Sequence, residues 1–431
     1  MIATADALDA LIARARRAGA VALDTEFVWE RSYYPALGVV QLGLGEDDVH
    51  LIDAVALAGS LGPLGALLED ADVEKVLHDA GQDLQILARA TGARPRTIFD
   101  TQRAAGFVGL PVTVSLQELI RHTAGVTLDK GETRTDWLRR PLSPEQVRYA
   151  EDDVRYLLAA RDRLLADAAA RGRDAWVRQE MARYEDAALY APADVSEAVT
   201  RIKARGVAQL PAQGRAVLRA LAAWREREAQ ALDRTRRLVL PDEALVELAR
   251  RRPHQARELA ALGLTDRQRH RYAEGLLAAV AEGEAAPAEA AARRGRPGPE
   301  DERRAAVLLL AQAFVAGRCA TEGIDPALVA PKATLRRLVD RAAQNGALGP
   351  AANGPASNGP ASNGPASNGP ASNGPASNGP AANGDDAAEH DAAEDVLVGW
   401  RRDFIGADLE QLLEGELAVR LDGPRGWPRR A

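Results

Sequence analysis

AVALDTEF, residues 20–27, decides how the chain is read. An apolar run leads into two acids, Asp24 and Glu26, set two positions apart. Alternate side chains of a strand share a face, so both carboxylates project together from the end of a strand whose first half is buried. In so acidic a chain an Asp-x-Glu pair is expected by chance roughly once or twice, and a solvated strand edge would account for it. The position speaks for a site, because a carboxylate directly after buried strand positions is costly unless it is paired or binds a cation.

Outward from this strand, VVQLGLG (39–45) and VHLIDAV (49–55) follow at hairpin spacing and predict three antiparallel strands. EKVLHDA (74–80) and TIFDT (97–101) each precede a helix-like stretch and predict added parallel strands. The expectation for residues 1–195 is an α/β domain with a mixed five-stranded sheet flanked by helices. Leu8, Leu11, Ile12 and Ala15 fall at helical spacing, which makes the first segment an amphipathic helix and not a signal peptide. Over 205–285 strand signals vanish, and Val217, Leu218, Leu221 and Trp224 share one helical face, predicting about five short helices. A further helical domain is expected over 298–425. It is interrupted at about 347–390 by NGPAS repeats of period five, whose units carry no large apolar side chain and predict a flexible linker.

Composition bounds the function. The single cysteine, Cys319, excludes an internal disulfide and a cysteine-ligated zinc site. The apolar run 305–317, broken by Gln312, is shorter than a membrane span, so a cytoplasmic chain without a membrane partner is expected. A net charge of −7 alone argues against nucleic acid, but the charge is segregated. Residues 201–280 hold 17 Arg and Lys against 9 Asp and Glu, whereas 385–395 packs six acids.

Two more segments carry candidate chemistry. Asp83 lies in VLHDAGQDLQIL (76–87), at a helix start where a first-turn acid is also favoured by the helix dipole. YAEDDVRYLL (149–158) stacks Tyr149 and Asp153 one turn apart, on a helix expected to start at Ser143-Pro144. Each has a bland surface reading alone. Together, four carboxylates and a phenol match what two-metal phosphodiester hydrolysis requires, since hard Mg²⁺ or Mn²⁺ prefers carboxylate oxygen.

In order and spacing, DTEF, HDAGQDLQIL and YAEDDV resemble the three exonuclease motifs of the DEDD superfamily, with Tyr149-x-x-x-Asp153 marking its tyrosine subgroup. RSYYPALGVVQL (31–42), FDTQRAAGFVG (99–109) and LDKGETRTDWLRRPLSPEQVRYAEDDVRYLL (128–158) resemble the ribonuclease D family. The segment 216–253 resembles an HRDC domain, and 323–339 with 396–413 resemble the halves of a second one. The resemblance implies a ribonuclease H-like fold, two divalent ions (Mg²⁺ or Mn²⁺), and removal of 5′ mononucleotides from RNA 3′ ends. Precursor tRNA is the implied substrate, acted on by a monomer. Asp24, Glu26, Asp83 and Asp153 correspond to the metal-binding acids, and Tyr149 to the residue that positions water. Candidate RNA contacts are Phe27, Gln41, Lys130, Arg134, Arg139, Arg234, Arg236 and Arg237, with Gln41 alternatively a brace for the acids. Trp137, Trp224 and His78 read as packing residues. A DNA exonuclease would use the same acids, and a scaffold without catalysis is a third reading. The HRDC-like segments favour RNA and the intact acids favour an enzyme.

Overall fold

The computed structural model describes residues 1–30, 32–128, 135–288, 298–345, 395–421 and 428–430. The NGPAS repeats, Lys130 and Arg134 lie outside them. Two compact units are present, residues 1–298 with 323–328, and residues 299–322 with 329–431.

In the first unit, α1 (Ala5–Ala18) buries the four apolar positions read from its spacing. Strands β1 (Ala20–Val28), β2 (Ala36–Gly45), β3 (Asp48–Asp53), β4 (Glu74–Leu77) and β5 (Ile98–Asp100) form one sheet in the order β3-β2-β1-β4-β5. β1, β2 and β3 are antiparallel, as short connections allow. β4 lies parallel to β1, and β5 parallel to β4 with α2 (Ala80–Thr91) as its crossover. This is the mixed sheet the sequence predicts. β1 is its middle strand, with Val21, Ala22 and Leu23 wholly buried, so its acids emerge where the buried part ends.

The β1–β2 register shifts next to the acids. Glu26 faces Val39 and Phe27 faces Leu37, which leaves Gly38 as an extra residue, a bulge of the kind that re-aims side chains beside active sites. A Cβ on Gly38 would lie 2.5 Å from the Trp137 carbonyl oxygen. Arg140 ties the overlying segment down by donating to both Asp53 oxygens at 2.6 and 2.7 Å and to the Gly38 and Trp137 carbonyls at 2.8 Å. Trp137 thereby packs with Val39, Leu51 and Ala150. Gly38→Ala must displace this backbone and is expected to cost about 1–3 kcal/mol, read as a lowered urea midpoint.

The helical part of this unit differs from the expectation of short helices. α4 (Ala212–Leu232) has 21 residues and α6 (Asp266–Ala285) 20, with α5 (Asp242–Arg251) between them. No Gly or Pro occurs from 215 to 240, so nothing interrupts the first of these early. Trp224 stacks edge-on with Tyr272, and a Cβ on Gly275 would lie 2.4 Å from its indole nitrogen, so glycine there admits the ring.

In the second unit α7 (Pro299–Glu322) packs on α8 (Lys332–Gln344), on α9 (Ala407–Glu414) and on β7 (Pro428–Arg430). The strand β7 pairs with β6 (Val419–Leu421). The sequence reading missed this ribbon because three residues are too few for alternation to register. It also understated α7. The helix extends beyond the apolar run to 24 residues, and its most apolar stretch, with a mean hydropathy of 1.3, is long and apolar enough to cross a membrane. Ala311, Phe314, Val315 and Cys319 are buried, while Leu309 and Leu310 are exposed.

Candidate active site

Asp24 stands opposite Gln41 and Glu26 opposite Val39, so both acids share the sheet face covered by α3 (Pro144–Arg155). Ser143 opens that helix with a reciprocal capping box to Gln146, and Pro144 occupies the first turn, where its missing N–H costs nothing. Ala150 and Val154 bury the helix on the sheet, and a Cβ on Gly43 would sit 3.2 Å from the Val154 carbonyl, so the backbones approach closely. The same docking brings Tyr149 and Asp153 to the end of β1. Carboxylate oxygens of Asp24, Glu26 and Asp153 lie within 4.8 Å of one another.

Asp83 enters from the first turn of α2, buried, and accepts a hydrogen bond from the Thr25 hydroxyl. The start of α2 is held by Asp100, which is buried and accepts from the backbone N–H groups of Asp79 at 3.2 Å and Ala80 at 3.0 Å. Asp100 also caps the following helix through Gln102 and Arg103 and accepts from the Tyr184 hydroxyl. Sequence reasoning passed over Thr25 and Asp100. The Asp-Thr-Gln pattern of a helix cap was the available signal for Asp100.

The cluster is electrostatically frustrated. Burial, then the charges of Asp83, Asp153 and Glu26, hold the Asp24 carboxyl well above the carboxylate range. Burial, then Asp153 and Asp83, push Glu26 up to about 9. Asp153 rises to about 7 through burial and then the Asp152 charge, and Asp83 to about 7 through burial. The Tyr149 phenol is raised by burial and by Asp153, Glu26 and Asp24, so it stays protonated at neutral pH. No cation of the protein offsets this charge among the causes of these shifts. The Oδ2 of Asp153 is buried without a hydrogen-bond partner. Converging hard oxygens, mutual repulsion and an orphaned carboxylate oxygen fit a divalent cation site.

The sequence-predicted residues divide. Asp24, Glu26 and Asp153 converge with Tyr149, whereas Asp83 lies outside that close group yet near enough for its charge to raise the pKa of Asp24 and Glu26. Phe27 is half-buried beyond the bulge, and Arg139 is exposed beside Trp137. Gln41 stands opposite Asp24 but is wholly buried with neither amide atom partnered, which argues against its reading as an RNA contact and against a hydrogen-bonded brace for the acids. Arg234 and Arg237 are exposed between α4 and α5. Arg236 is engaged instead by Glu226, at 2.6 Å through two nitrogens, which argues against its reading as a free phosphate contact. His78 bridges Thr101 and the Val114 carbonyl, each at 3.0 Å, and burial lowers its pKa, as befits a packing residue.

Residues 1–168 match the 3′-5′ exonuclease family and residues 214–280 the HRDC domain family. The chain is 36% identical to ribonuclease D of Desulfotalea psychrophila, over 79% of this chain and 90% of that one. The chain belongs to the ribonuclease D family. Ribonuclease D of Escherichia coli is 37% identical over 67% of this chain and 76% of its own length. The crystal structure of E. coli RNase D, an exoribonuclease involved in structured RNA processing, superposes with a TM-score of 0.72, covering 96% and 98% of the two chains at 28% identity. The catalytic core of RRP6 from Trypanosoma brucei shares the fold at a TM-score of 0.54 and 23% identity. As a ribonuclease D, the chain is a 3′→5′ exoribonuclease of the metal-dependent exonuclease fold.

Proposed function

We propose that this ribonuclease D hydrolyses RNA 3′ ends to 5′ mononucleotides with two Mg²⁺ or Mn²⁺ ions held by Asp24, Glu26, Asp83 and Asp153. The convergence of three carboxylates within 4.8 Å, beside a protonated phenol, carries this reading. Bound there, the cations supply an activated water and stabilise the leaving 3′ oxygen. Tyr149 orients that water as a hydrogen-bonding group and not as a base, because its raised pKa keeps the proton on the phenol. Thr25 holds Asp83 in place through its hydroxyl.

Structured RNA precursors, tRNA among them, are the proposed substrates. The E. coli relative acts in structured RNA processing, and the chain carries a locally basic helical segment over 201–280. The proposed organisation is an exonuclease domain over 1–195, an HRDC domain over 205–285 and a second HRDC-like domain over 298–425, the chain acting as a cytoplasmic monomer. The test is digestion of 5′-labelled RNA and DNA oligonucleotides of matched sequence with Mn²⁺ or Mg²⁺. Single-nucleotide laddering from the RNA 3′ end is expected, and RNA binding without release of mononucleotides would favour the scaffold reading instead. Tyr149→Phe is expected to lower kcat about 10²-fold with KM nearly unchanged.

A further inference from the structure

The loop that leaves β1 carries a feature that the chemistry above does not use. Trp29 is 59% exposed, although it follows the end of β1 directly. It lies three positions after Glu26, and an extended chain covers at most about 3.6 Å per residue, so the two Cα atoms lie within roughly 11 Å.

Further along the loop, Tyr33 and Tyr34 are held from two sides. Asp233, at the end of α4, accepts hydrogen bonds from the backbone N–H groups of Tyr33 at 3.1 Å and Tyr34 at 3.0 Å. The Tyr33 hydroxyl donates to Glu226 and receives Gln230 at 3.1 Å, and the Arg236 guanidinium lies 4.9 Å from the Tyr33 ring centre. On the other side Arg89 of α2, the helix that carries Asp83, stacks on the Tyr34 ring. Thus Tyr33 and Tyr34 are fastened between them to the Asp83 helix and to the helical region. Exposed Arg234 directly follows the clamping Asp233, and Arg237 is near in sequence.

None of these contacts covers the Trp29 indole, which stays open to solvent. An exposed aromatic on a loop hydrogen-bonded to a segment that carries exposed guanidinium groups is, however, a combination suited to single-stranded nucleic acid, the ring stacking on a base and the cations following the backbone. Resting on the RNA 3′-exonuclease reading, we propose that Trp29 is a base-stacking platform at the lip of the active site. It grips a nucleotide close to the 3′ end of single-stranded RNA while Arg234 engages the backbone further along. The clamp by Asp233 and Glu226 couples the helical region to the catalytic strand by keeping platform and cations in one arrangement. Stacking needs only a π-face, so the platform is indifferent to base identity, which suits an enzyme that advances one nucleotide at a time.

The test uses the full chain and a 5′-fluorescein dodecamer of oligoadenylate. Trp29→Ala is expected to raise KM about tenfold with kcat changed less than twofold, and Trp29→Tyr to restore most of the loss. Anisotropy with a 3′-phosphorothioate version of the oligomer should show the same weakening of binding. Abasic sites placed singly at the last four nucleotides should reveal one position at which the parent weakens and Trp29→Ala does not weaken further. Unchanged KM and anisotropy in Trp29→Ala would overturn the inference, as would loss equal in kcat and KM with a lowered Tm. So would concentration-dependent self-association of the parent that Trp29→Ala abolishes, because the indole would then cover a second copy of the chain. A parent that bound the oligomer but released no mononucleotide would defeat the exonuclease reading. The platform would then stand or fall on anisotropy alone.

Discussion

Asp153→Asn is expected to reduce kcat on RNA by at least about 10³-fold while leaving the protein folded and more stable at pH 8 without metal. The amide matches the carboxylate in shape but brings no negative charge, and Oδ2 is the buried carboxylate oxygen of the cluster that has no partner. Metal assistance contributes several kcal/mol to such hydrolyses, and about 4 kcal/mol corresponds to 10³ in rate. Stability should move the other way, because Asp153 raises the pKa of both Asp24 and Glu26, and its neutralisation relieves that repulsion. A gain in Tm alongside a loss of turnover distinguishes a functional acid from a structural one. Activity within tenfold of the parent would remove Asp153 from the metal site.

The second large effect is linked binding of metal and protons. Glu26 titrates at about 9, and Asp83 and Asp153 at about 7, each above its ordinary range. Between about pH 4 and pH 9 the folded protein therefore binds more protons than the unfolded chain. Metal-free stability is fullest below the unfolded values and is lost as pH rises through the folded ones. Divalent cations compete for the same oxygens, so they bind more tightly as protons leave. EDTA-treated protein is expected to show a Tm that falls from pH 5 to pH 9. Saturating Mn²⁺ should raise Tm by about 5 °C at pH 8 and by much less at pH 5, read by differential scanning fluorimetry. A metal-free Tm independent of pH, with no response to Mn²⁺, would show that these carboxylates do not share a site.

Much of this site was legible in the linear chain. The two-residue spacing of Asp24 and Glu26, and the four-residue spacing of Tyr149 and Asp153, are local periodicities of strand and helix, so each pair could be oriented without coordinates. The cap at Ser143-Pro144 placed the start of the second pair's helix. Other features resisted because their cause is non-local. Thr25 reads as a strand residue until Asp83, 58 positions away, meets its hydroxyl. Arg236 reads as a free cation until Glu226, ten positions before it, claims the guanidinium. Gln41 reads as polar and available, yet β2 lies between β1 and β3 and is covered by α3, so no solvent reaches it.

The sequence by itself determined the five strands of the main sheet, the helical character of the rest, the family and the five residues expected to do chemistry, because periodicity, capping and motif spacing are properties of near neighbours. Only the tertiary structure decided that Asp24, Glu26 and Asp153 meet within 4.8 Å, that a bulge at Gly38 lies beside Glu26, and that the helical region holds Tyr33 and Tyr34 after β1. Those depend on which surfaces pack across long stretches of chain, where burial and hydrogen-bond satisfaction choose among arrangements that local preference leaves equally open.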